Sequence, residues 1–393
     1  MENDSTVFVS FARTPMGNLL GDLKEFPSPA LGATVIKAAY QRAGLDPSSI
    51  DEVLLGCVLP AGVGQAPPRQ AARAAELPDK TPCTMISKVC GSGMKAIMFA
   101  HLTLQTHAAG IVIAGGMESM TNAPYLLKKA RQGYRLGRSE IDDHMVLDGL
   151  EDAYTGQSMG FYADQCAKQY GFTRQQQDEY ALVSFERARS ATRNKLFAAE
   201  IVPLSVKTKE GEKIIIEDQR PFSVNLERIT QLQPAFVKDG TVTAGNSSAI
   251  ADGAAALAMM RLSTAKKEHI KPIARIVGQT NTARHPSEFT IAPIDTINQL
   301  LKVVGWNIGD VDLFEINEAF AVVVLAAMHD LKIPLEKINI HGGACALGHP
   351  IGASGARIVV TLIAALKQAG LQRGIAALCI GGGEATGIAI EMM

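Results

Sequence analysis

Apolar segments rich in Val, Ile, Leu and Ala alternate along this chain with stretches whose hydrophobic pattern is that of a helix. Two of the apolar segments, residues 111–116 and 376–383, end in glycines, and each follows a predicted helix of about four turns. Continuous apolar strands that alternate with helices are typical of mainly parallel sheets covered on both faces. The sequence therefore predicts an α/β fold, with ligands at the carboxyl ends of the strands.

The α/β pattern occurs twice in the chain. Residues 44–55 match residues 305–316 with an offset of 305 − 44 = 261, and residues 91–97 resemble residues 353–358 with an offset of 354 − 92 = 262. Near-constant offsets in two separate blocks indicate an internal duplication. Two unrelated α/β units are the alternative explanation.

The segment between the two halves has a different composition, with long charged stretches. Thr173 and Gln176 form a capping-box pattern that predicts an amphipathic helix to about Phe197. Residues 201–206 and 214–216 flank a short polar stretch and predict a hairpin. The chain is therefore divided into a first half of residues 1–120 plus 249–272, an inserted loop domain of residues 121–248 and a second half of residues 273–393.

The charge and length of the chain exclude several classes of protein. Its 393 residues carry 38 basic and 39 acidic side chains, so a formal net charge of −1 gives no general attraction to nucleic acid or to an anionic membrane. With 47% hydrophobic residues, the chain can bury a sizeable core in two or three domains.

We found no targeting or metal-binding pattern in the sequence. The polar stretch from Met1 to Ser5 has the pattern of neither a signal peptide nor an Arg-rich transit sequence, and the end at Met393 is not a peroxisomal address. No uninterrupted apolar run reaches transmembrane length. The six cysteines have no CxxC or Cys/His zinc spacing, so we expect no metal site. A reducing cytoplasm, in which thiols stay free, is the expected location.

Cys90 is the first candidate for chemistry, because it lies at the expected start of an apolar helix. The partial positive charge of a helix start lowers a thiol's pKa, and the thiolate is the nucleophilic form. Gly91 and Gly93 leave peptide N–H groups free to hold an oxyanion. Cys90 is therefore a candidate nucleophile, and a buried core cysteine is the alternative.

Two candidates near the C-terminus complement this thiol. His349 precedes Pro350, which favours an extended backbone, and the imidazole could take a proton from Cys90 or simply pack at a helix start. Cys379 ends an apolar strand before three glycines. A thiol pKa near ~8.5 suits removal of an acidic proton beside a thioester carbonyl, and an inert strand cysteine is the alternative.

Three further segments carry weaker signals. Asn317 and Glu318 follow an apolar strand, where the amide could orient a water and the carboxylate could hold a polar neighbour, although a helix cap has the same pattern. The small polar loop at residues 243–248 could approach a pantetheine arm. Five basic residues within 128–138 suggest either a phosphate contact or, as the favoured interpretation, a solvated or oligomer-facing loop.

Seven short motifs, in their order and spacing, resemble the thiolase family over essentially the whole chain. They are residues 12–17, 89–93, 115–120, 243–248, 317–321, 348–352 and 379–383. The resemblance, which is to the acetyl-CoA acetyltransferase type, implies a five-layered αβαβα fold of two duplicated halves with a loop domain over the active site. It also implies that acetyl-CoA, acetoacetyl-CoA and CoA are the binding partners, that no cofactor is needed, and that the chain forms a homodimer or homotetramer.

The resemblance implies a role for each motif residue. Cys90 would carry the acyl group, and His349 would activate it and help to bind the second thioester oxygen. Cys379 would remove the α-proton of the attacking acetyl-CoA. Asn317 would hold a water beside His349 to complete one oxyanion site. The N–H groups of Cys90 and Gly381 would form the other.

Other residues match the family's substrate contacts. Ser248 matches a serine that contacts pantetheine, and Phe320 matches an aromatic residue that lines the acyl pocket. Ser158 stands where many short-chain thiolases have His, and Phe289 stands where a Met is often found, so the acyl-chain preference is open. The remaining expected contacts are Met159, Ala319, Arg220 and Phe236.

The main interpretation is a reversible Claisen condensation of two acetyl-CoA to acetoacetyl-CoA and CoA, by ping-pong kinetics through acetyl-Cys90. A degradative 3-ketoacyl-CoA thiolase that acts on longer chains is the alternative, and both belong to fatty acid metabolism. A non-catalytic acyl-CoA or lipid-binding protein on the same scaffold is a distant third, because it predicts the loss of a catalytic residue.

Overall fold

The apolar segments of the sequence form the strands of a large sheet. The computed structural model describes residues 4–208 and 211–393. Its strands are β1 (Thr6–Arg13), β2 (Gly17–Asn18), β3 (Glu52–Gly56), β4 (Cys83–Ile86), β5 (Ile111–Ser119), β6 (Tyr125–Leu126), β7 (Asp142–Asp143), β8 (Leu204–Thr208), β9 (Gly211–Ile215), β10 (Ala251–Arg261), β11 (Ala274–Ala283), β12 (Leu313–Ile316), β13 (Arg373–Ile380) and β14 (Glu384–Met392).

Helices connect these strands in both halves. They are α1 (Ser28–Arg42), α2 (Pro67–Ala74), α3 (Ser92–Gln105), α4 (Met159–Tyr170), α5 (Arg174–Arg193), α6 (Arg220–Ser223), α7 (Leu262–Lys267), α8 (Ala292–Val304), α9 (Ala321–Leu331), α10 (Ala344–Leu347) and α11 (Ile351–Ala369). Short 3₁₀ segments lie at Pro47–Ser49, Leu196–Ala199, Leu226–Gln231, Pro286–Ile291, Ile308–Asp310 and Leu335–Lys337, and a π turn lies at Val146–Leu150.

The strand order confirms the internal duplication. It is β12-β13-β14-β11-β1-β10-β5-β3-β4, and β2 pairs with β10. The first-half order β1-β10-β5-β3 repeats in the second half as β11-β14-β13-β12, and the two runs meet where β1 pairs with β11. The second half even retains a trace of β4, because Phe314 of β12 forms a parallel bridge with Ile338.

The prediction of mainly parallel sheets is wrong. Only the pairs β3–β4, β3–β5 and β12–β13 are parallel, and the other strand pairs are antiparallel. The reason is clearest between β13 and β14, which are joined by three glycines, a connection too short for a parallel crossover. Gly382 (φ 92°) and Gly383 (φ 90°) make this turn in the left-handed region that glycine tolerates.

The fold has the five layers that the resemblance implies. Helices α3 and α11 pack together in the middle layer, between the two halves of the sheet, in one apolar cluster. Helix α1 covers the outer face of the first half, and α8 and α9 cover that of the second. The starts of α3 and α11 therefore lie together inside the molecule.

One helix of this fold is unusually apolar for its length. Within residues 4–208 and 211–393, α11 is long and apolar enough by composition to cross a membrane. Glycines and Arg357 interrupt its sequence, so it contains no uninterrupted apolar run of transmembrane length. In the structure, 89% of its most apolar window is buried inside the protein, so its apolar surface packs in the core.

The inserted segment replaces one tight turn. In the second half, β13 leads through three glycines into β14, whereas in the first half β5 ends at Ser119 and β10 begins only at Ala251. The predicted capping box of Thr173 and Gln176 is present, but α5 ends at Arg193, because the backbone turns left-handed at Lys195 (φ 56°).

The predicted hairpin forms between β8 and β9. Its central residues, Lys209 and Glu210, lie outside the described residues, as do Met1 to Asn3 of the polar N-terminus. Arg13 of β1 is fully buried and joins the inserted segment through Asp218 (2.7 Å) and Glu200 (3.0 Å). The exact domain limits remain a prediction.

Candidate active site

Cys90 lies in a tight turn immediately before α3. Val89 has a left-handed backbone (φ 44°), and Ser92 closes the turn by accepting the Lys88 N–H (2.8 Å) and donating to the Val89 carbonyl (2.7 Å). The N–H groups of Gly381 and of Cys90 itself face the Cys90 sulfur. These are the two donors that the resemblance assigns to an oxyanion site.

The expectation of a lowered pKa for Cys90 is wrong for the free protein. Burial raises the pKa of the Cys90 thiol to about 11, although the two N–H groups lower it. The nearby Glu118 carboxylate raises it slightly further. Desolvation of a thiolate therefore outweighs the helix start, and the resting residue is a neutral thiol at neutral pH.

Cys379 lies at the end of β13, against the turn that holds Cys90. A Cβ on Gly91 would lie 2.4 Å from Ile380 Cδ1, and a Cβ on Gly381 would lie 3.7 Å from Val89 Cγ1. The residues that flank the two thiols are therefore in contact. Burial raises the pKa of Cys379 well above its usual range, and the charge of Cys90 raises it further, so the expected value near ~8.5 is wrong.

His349 directly precedes the Pro350 cap of α11, where Gly348 (φ 103°) turns the chain and the His349 N–H donates to the Ala249 carbonyl (2.8 Å). Its Nδ1 lies 2.5 Å from Ser354 Oγ, and that hydroxyl donates to the Pro350 carbonyl (2.9 Å). With the serine proton on that carbonyl, Nδ1 carries the hydrogen and Nε2 the lone pair, which agrees with the Asn317 Nδ2 donor beside Nε2.

Burial keeps His349 neutral in the free protein. Burial, with a smaller effect of the Arg357 guanidinium, lowers the pKa of His349 to about 3. The imidazole is therefore neutral at physiological pH and carries a free lone pair, but its lowered pKa makes it a weak base in the free protein, so proton transfer from Cys90 must accompany attack on the substrate.

Asn317 completes this group of side chains. It follows β12, and its N–H donates to the Ala377 carbonyl of β13 (3.0 Å). Its Nδ2 lies 3.5 Å from His349 Nε2, and its Oδ1 is buried without a hydrogen-bond partner in the described chain. An amide with one free oxygen beside an imidazole fits the proposed role of holding a water.

The starts of α3 and α11 bring two distant segments of the chain into contact. A Cβ on Gly93 would lie 2.9 Å from the Gly352 carbonyl and 3.0 Å from the Ala356 nitrogen. Only glycines allow this approach, which places the Cys90 turn beside the His349 turn. These contacts place the two thiols close together and bring the turn of His349, with Asn317 beside it, next to the turn of Cys90.

A cavity of about 460 Å³ opens next to these groups. His349 lines it, and the neighbouring Ile351 also belongs to the apolar cluster that contacts Cys90. Of the expected substrate contacts, the lining includes Ser158, Met159, Arg220, Phe236, Ser248 and Phe320.

Two expected contacts lie behind the lining. Phe289 is buried and its ring packs on Phe320, with 6.3 Å between ring centroids. Ala319 accepts the Ser248 N–H on its carbonyl (3.0 Å). Both therefore support lining residues.

Arg220 lines the cavity, but two of its donors are already used. Its Nε donates to the Cys345 carbonyl (2.8 Å), and its Nη2 donates to the Ala244 carbonyl (3.2 Å). The side chain thus joins the polar loop at residues 243–248 to the segment that precedes His349.

The sequence predicted a role for one of the two buried motif glutamates, Glu318, but not for the other, Glu118. Glu318 accepts from Tyr180 (2.8 Å), Ser184 (2.7 Å) and the Cys345 N–H (3.0 Å), which agrees with its expected role of holding polar neighbours. The contacts of Glu118 with peptide N–H groups, and of Ser354 with His349, were not predicted from the sequence. Both residues lie in blocks that the sequence singled out, but nothing local shows what a buried side chain touches.

The basic run does not line the cavity. Residues 128–138 are largely exposed, and Lys128 pairs with Asp142 (3.2 Å). In the part of the chain that the structure describes, no group of three or more His, Cys, Asp or Glu side chains could hold a metal ion.

Two family models and a named relative match nearly the whole chain. The models for the thiolase N-terminal and C-terminal domains match residues 6–263 and 270–392. A probable acetyl-CoA acetyltransferase from Dictyostelium discoideum is 45% identical over 99% of this chain and 94% of its own.

Two solved structures share the fold over nearly their whole length. The acetyl-CoA acetyltransferase of Bacillus anthracis has a TM-score of 0.96 and 40% identity, covering 99% of both chains. A thiolase from Ascaris suum in complex with coenzyme A has a TM-score of 0.94 and 39% identity, covering 99% of this chain and 100% of its own. This chain therefore belongs to the thiolase family and is an acyltransferase.

Proposed function

We propose that this thiolase catalyses the reversible condensation of two acetyl-CoA molecules to acetoacetyl-CoA and CoA, through an acetyl-Cys90 intermediate. One observation carries the proposal: the turns that hold Cys90 and Cys379 are in contact beside the neutral, proton-accepting Nε2 of His349. The similarity to acetyl-CoA acetyltransferases supports the choice of acetyl groups.

The first half-reaction transfers an acetyl group to Cys90. As the Cys90 sulfur attacks the thioester carbonyl, its proton moves to His349 Nε2, and a bond from sulfur to the acetyl carbon forms. The oxyanion is held by the N–H groups of Cys90 and Gly381. The carbon–sulfur bond to CoA then breaks, and the CoA thiolate takes the proton of Cys379.

The second half-reaction uses the charges left by the first. The Cys379 thiolate removes the α-proton of a second acetyl-CoA, and the protonated His349 Nε2 donates to its enolate oxygen, beside Asn317. The enolate carbon attacks acetyl-Cys90. Collapse of the tetrahedral intermediate releases acetoacetyl-CoA and a Cys90 thiolate, which recovers its proton from His349. Every proton is returned, so the cycle needs no cofactor.

The high thiol pKa values are compatible with this cycle. A thiol with a raised pKa forms a more basic thiolate, which is better suited to removing a weakly acidic α-proton. Cys379 becomes charged only after Cys90 is acylated and can no longer carry a negative charge beside it. The two sulfurs therefore share one charge during the cycle.

The acyl end of the cavity supports short substrates. Phe320 is held by Phe236 at 5.9 Å and by Phe289 behind it, so three rings limit the space.

Ser158, which is smaller than the His of many short-chain thiolases, lines the same cavity and leaves room for a longer chain. The degradative thiolase thus remains the second candidate.

A substrate panel separates these two candidates. We expect kcat/KM in the thiolysis direction to be highest for acetoacetyl-CoA and to fall for 3-ketoacyl-CoA of eight or more carbons. The reverse order would establish the longer-chain enzyme. Intersecting initial-rate lines, in place of the parallel lines of a ping-pong reaction, would refute the acetyl-enzyme.

We also infer that the chain assembles as a homodimer or a dimer of dimers. Strand β4 is the last strand of the sheet, and the side chains of Met85, Phe99 and Leu102 beside it are 37 to 48% exposed. An apolar edge of this kind favours pairing with a second chain. A cytoplasmic location and a place in fatty acid metabolism are further proposals that follow from the sequence and from this reaction.

A further inference from the structure

The carboxylate of Glu118 has no assigned role in the reaction, yet it is fully buried next to the active site. Its Oε2 accepts the N–H groups of Val58 (2.9 Å) and Gly352 (2.9 Å), and its Oε1 accepts the N–H of Leu59 (3.2 Å). The thiol of Cys57 lies 3.5 Å away. Four donors from two segments thus converge on one carboxylate.

The contact with Gly352 ties this carboxylate to His349. Gly352 is in the first turn of α11, where an N–H has no partner within the helix, so Glu118 supplies the missing acceptor and a negative charge at the positive helix end. A Cβ on Gly352 would lie 2.5 Å from Glu118 Oε2 and 2.9 Å from Cys57 Cα. The fit leaves no room for movement of the helix start toward β3.

The duplication shows what this place in the fold is. Gly352 follows Cys90 by 352 − 90 = 262 residues, and Ile380 follows Glu118 by 380 − 118 = 262, the offset by which the register of β5 on β3 is repeated by β13 on β12. Glu118 near the end of β5 is therefore the counterpart of Ile380, which directly follows Cys379 at the end of β13, and Gly352 is the counterpart of Cys90. The second-half strand end thus holds a reacting thiol beside the start of α3. At the equivalent place in the first half, the Glu118 carboxylate accepts the Gly352 N–H at the start of α11.

We propose that Glu118 is a positioning residue, whose carboxylate holds the start of α11, and with it His349, against the end of β3 beside Cys90. The proposal rests on the proposed function for its kinetic readout. Its second readout, the reactivity of Cys90 itself, does not depend on which reaction the enzyme catalyses.

The charge of Glu118 provides that second readout. Burial raises the pKa of Glu118 to about 7, so the carboxylate becomes charged across neutral pH and then opposes formation of the Cys90 thiolate. The titratable and charged groups that face this region are Cys57 from the end of β3, Cys90 before α3, His349 and Arg357 from the side of α11, and Cys379 from β13.

The test compares Glu118→Gln with Asp51→Asn. Asp51 is a matched control, because its carboxylate also accepts two peptide N–H groups, those of Gly110 (2.7 Å) and Ile111 (2.9 Å), but at the opposite end of β3 and β5. A glutamine cannot satisfy all the donors around Glu118, since its NH₂ group meets an N–H. We expect Glu118→Gln to lower kcat by about 100-fold, with KM changed by less than about threefold. Asp51→Asn should retain the kcat of the parent enzyme.

Alkylation of Cys90 by iodoacetamide, followed by peptide mass spectrometry, measures the effect of the charge. Above about pH 7, Glu118→Gln should be alkylated at Cys90 faster than the parent, and the ratio of the two rates should approach one below that pH. A ratio that does not change with pH would refute the effect of the Glu118 charge on Cys90, and an unchanged kcat would refute the positioning role.

If Glu118→Gln does not fold, Glu118→Asp takes its place. The shorter acid keeps the charge but withdraws it from Gly352, so kcat should fall while the pH dependence of Cys90 alkylation keeps the shape of the parent. An aspartate variant with full kcat would equally refute the positioning role. An inactive parent enzyme with the expected alkylation ratio would instead count against the proposed reaction and leave the charge effect standing.

Discussion

Ser354 Oγ lies 2.5 Å from His349 Nδ1 and donates its own proton to the Pro350 carbonyl. This single serine decides which nitrogen of the imidazole is basic. It also lies within the first turns of α11, so the start of the helix orients the base and presents its Nε2 to the cavity.

Removing that hydroxyl should reduce catalysis without removing the base. In Ser354→Ala the imidazole can take either tautomer and is free to turn, so we expect kcat to fall by about 10- to 100-fold. Thr361→Val is the control, because Thr361 is on the same helix and its buried hydroxyl has no partner in the described chain. Steady-state rates of both variants check the prediction, which fails if Ser354→Ala keeps the parent's kcat.

The two thiols should differ in what their loss prevents. Cys90→Ser should form no acetyl-enzyme when mixed with acetyl-CoA. Cys379→Ser should still accept the acetyl group, because Cys90, His349 and the two N–H donors remain, while condensation collapses for want of a base for the α-proton. Intact-protein mass spectrometry reports acetylation, and acetoacetyl-CoA formation reports condensation. Condensation at the parent's rate by Cys379→Ser would show that Cys379 does not move the proton.

Acid should destabilise the fold through His349. Its pKa is lowered to about 3 in the folded protein, against a usual value near ~6.5, so between these pH values the unfolded chain binds more protons. Stability is therefore complete above about pH 6.5 and is lost as the pH falls, by up to about 1.4 kcal/mol per pH unit from this group. Denaturant melts of the parent and of His349→Asn should show a shallower loss in the variant. Equal slopes would contradict the assignment.

The buried ion pairs of Arg13 should be essential for stability. Arg13→Met leaves Glu200 and Asp218 without their cation inside the protein, and we expect a loss of about 3–5 kcal/mol. The matched control is Arg73→Met, which removes an exposed pair with Asp79 and should cost less than about 1 kcal/mol. Urea unfolding measures both. Similar costs for the two variants would show that burial of the Arg13 pairs does not matter.

The apolar edge beside β4 should hold the proposed dimer. Leu102→Glu places a charge on a helix residue that is 48% exposed, and we expect it to shift the protein toward monomers. Val303→Glu is the control, because Val303 is 59% exposed on α8, which covers the outer face of the other half of the sheet. Light scattering after size-exclusion chromatography distinguishes the outcomes, and an unchanged mass for Leu102→Glu would place any interface elsewhere.

Much of the fold was predictable because its signals are local. The repeated blocks at a constant offset reflect two copies of the same strands and helices, and the Thr173 capping box depends only on residues three positions apart. Strand directions were less accessible. The antiparallel pairing of β1 with β11 joins residues far apart in sequence, and no local pattern encodes that contact.

For this protein, the sequence by itself determined the duplicated α/β architecture, the inserted segment and the four candidate residues for the chemistry, because glycine turns, apolar strands and short motifs are all properties of neighbouring residues. Only the tertiary structure decided that Cys90 rests as a thiol, that His349 is basic at Nε2, and that Glu118 holds the helix beside it. Each of these depends on which distant groups desolvate a side chain or bond to it, and those neighbours exist only once the two halves have packed together.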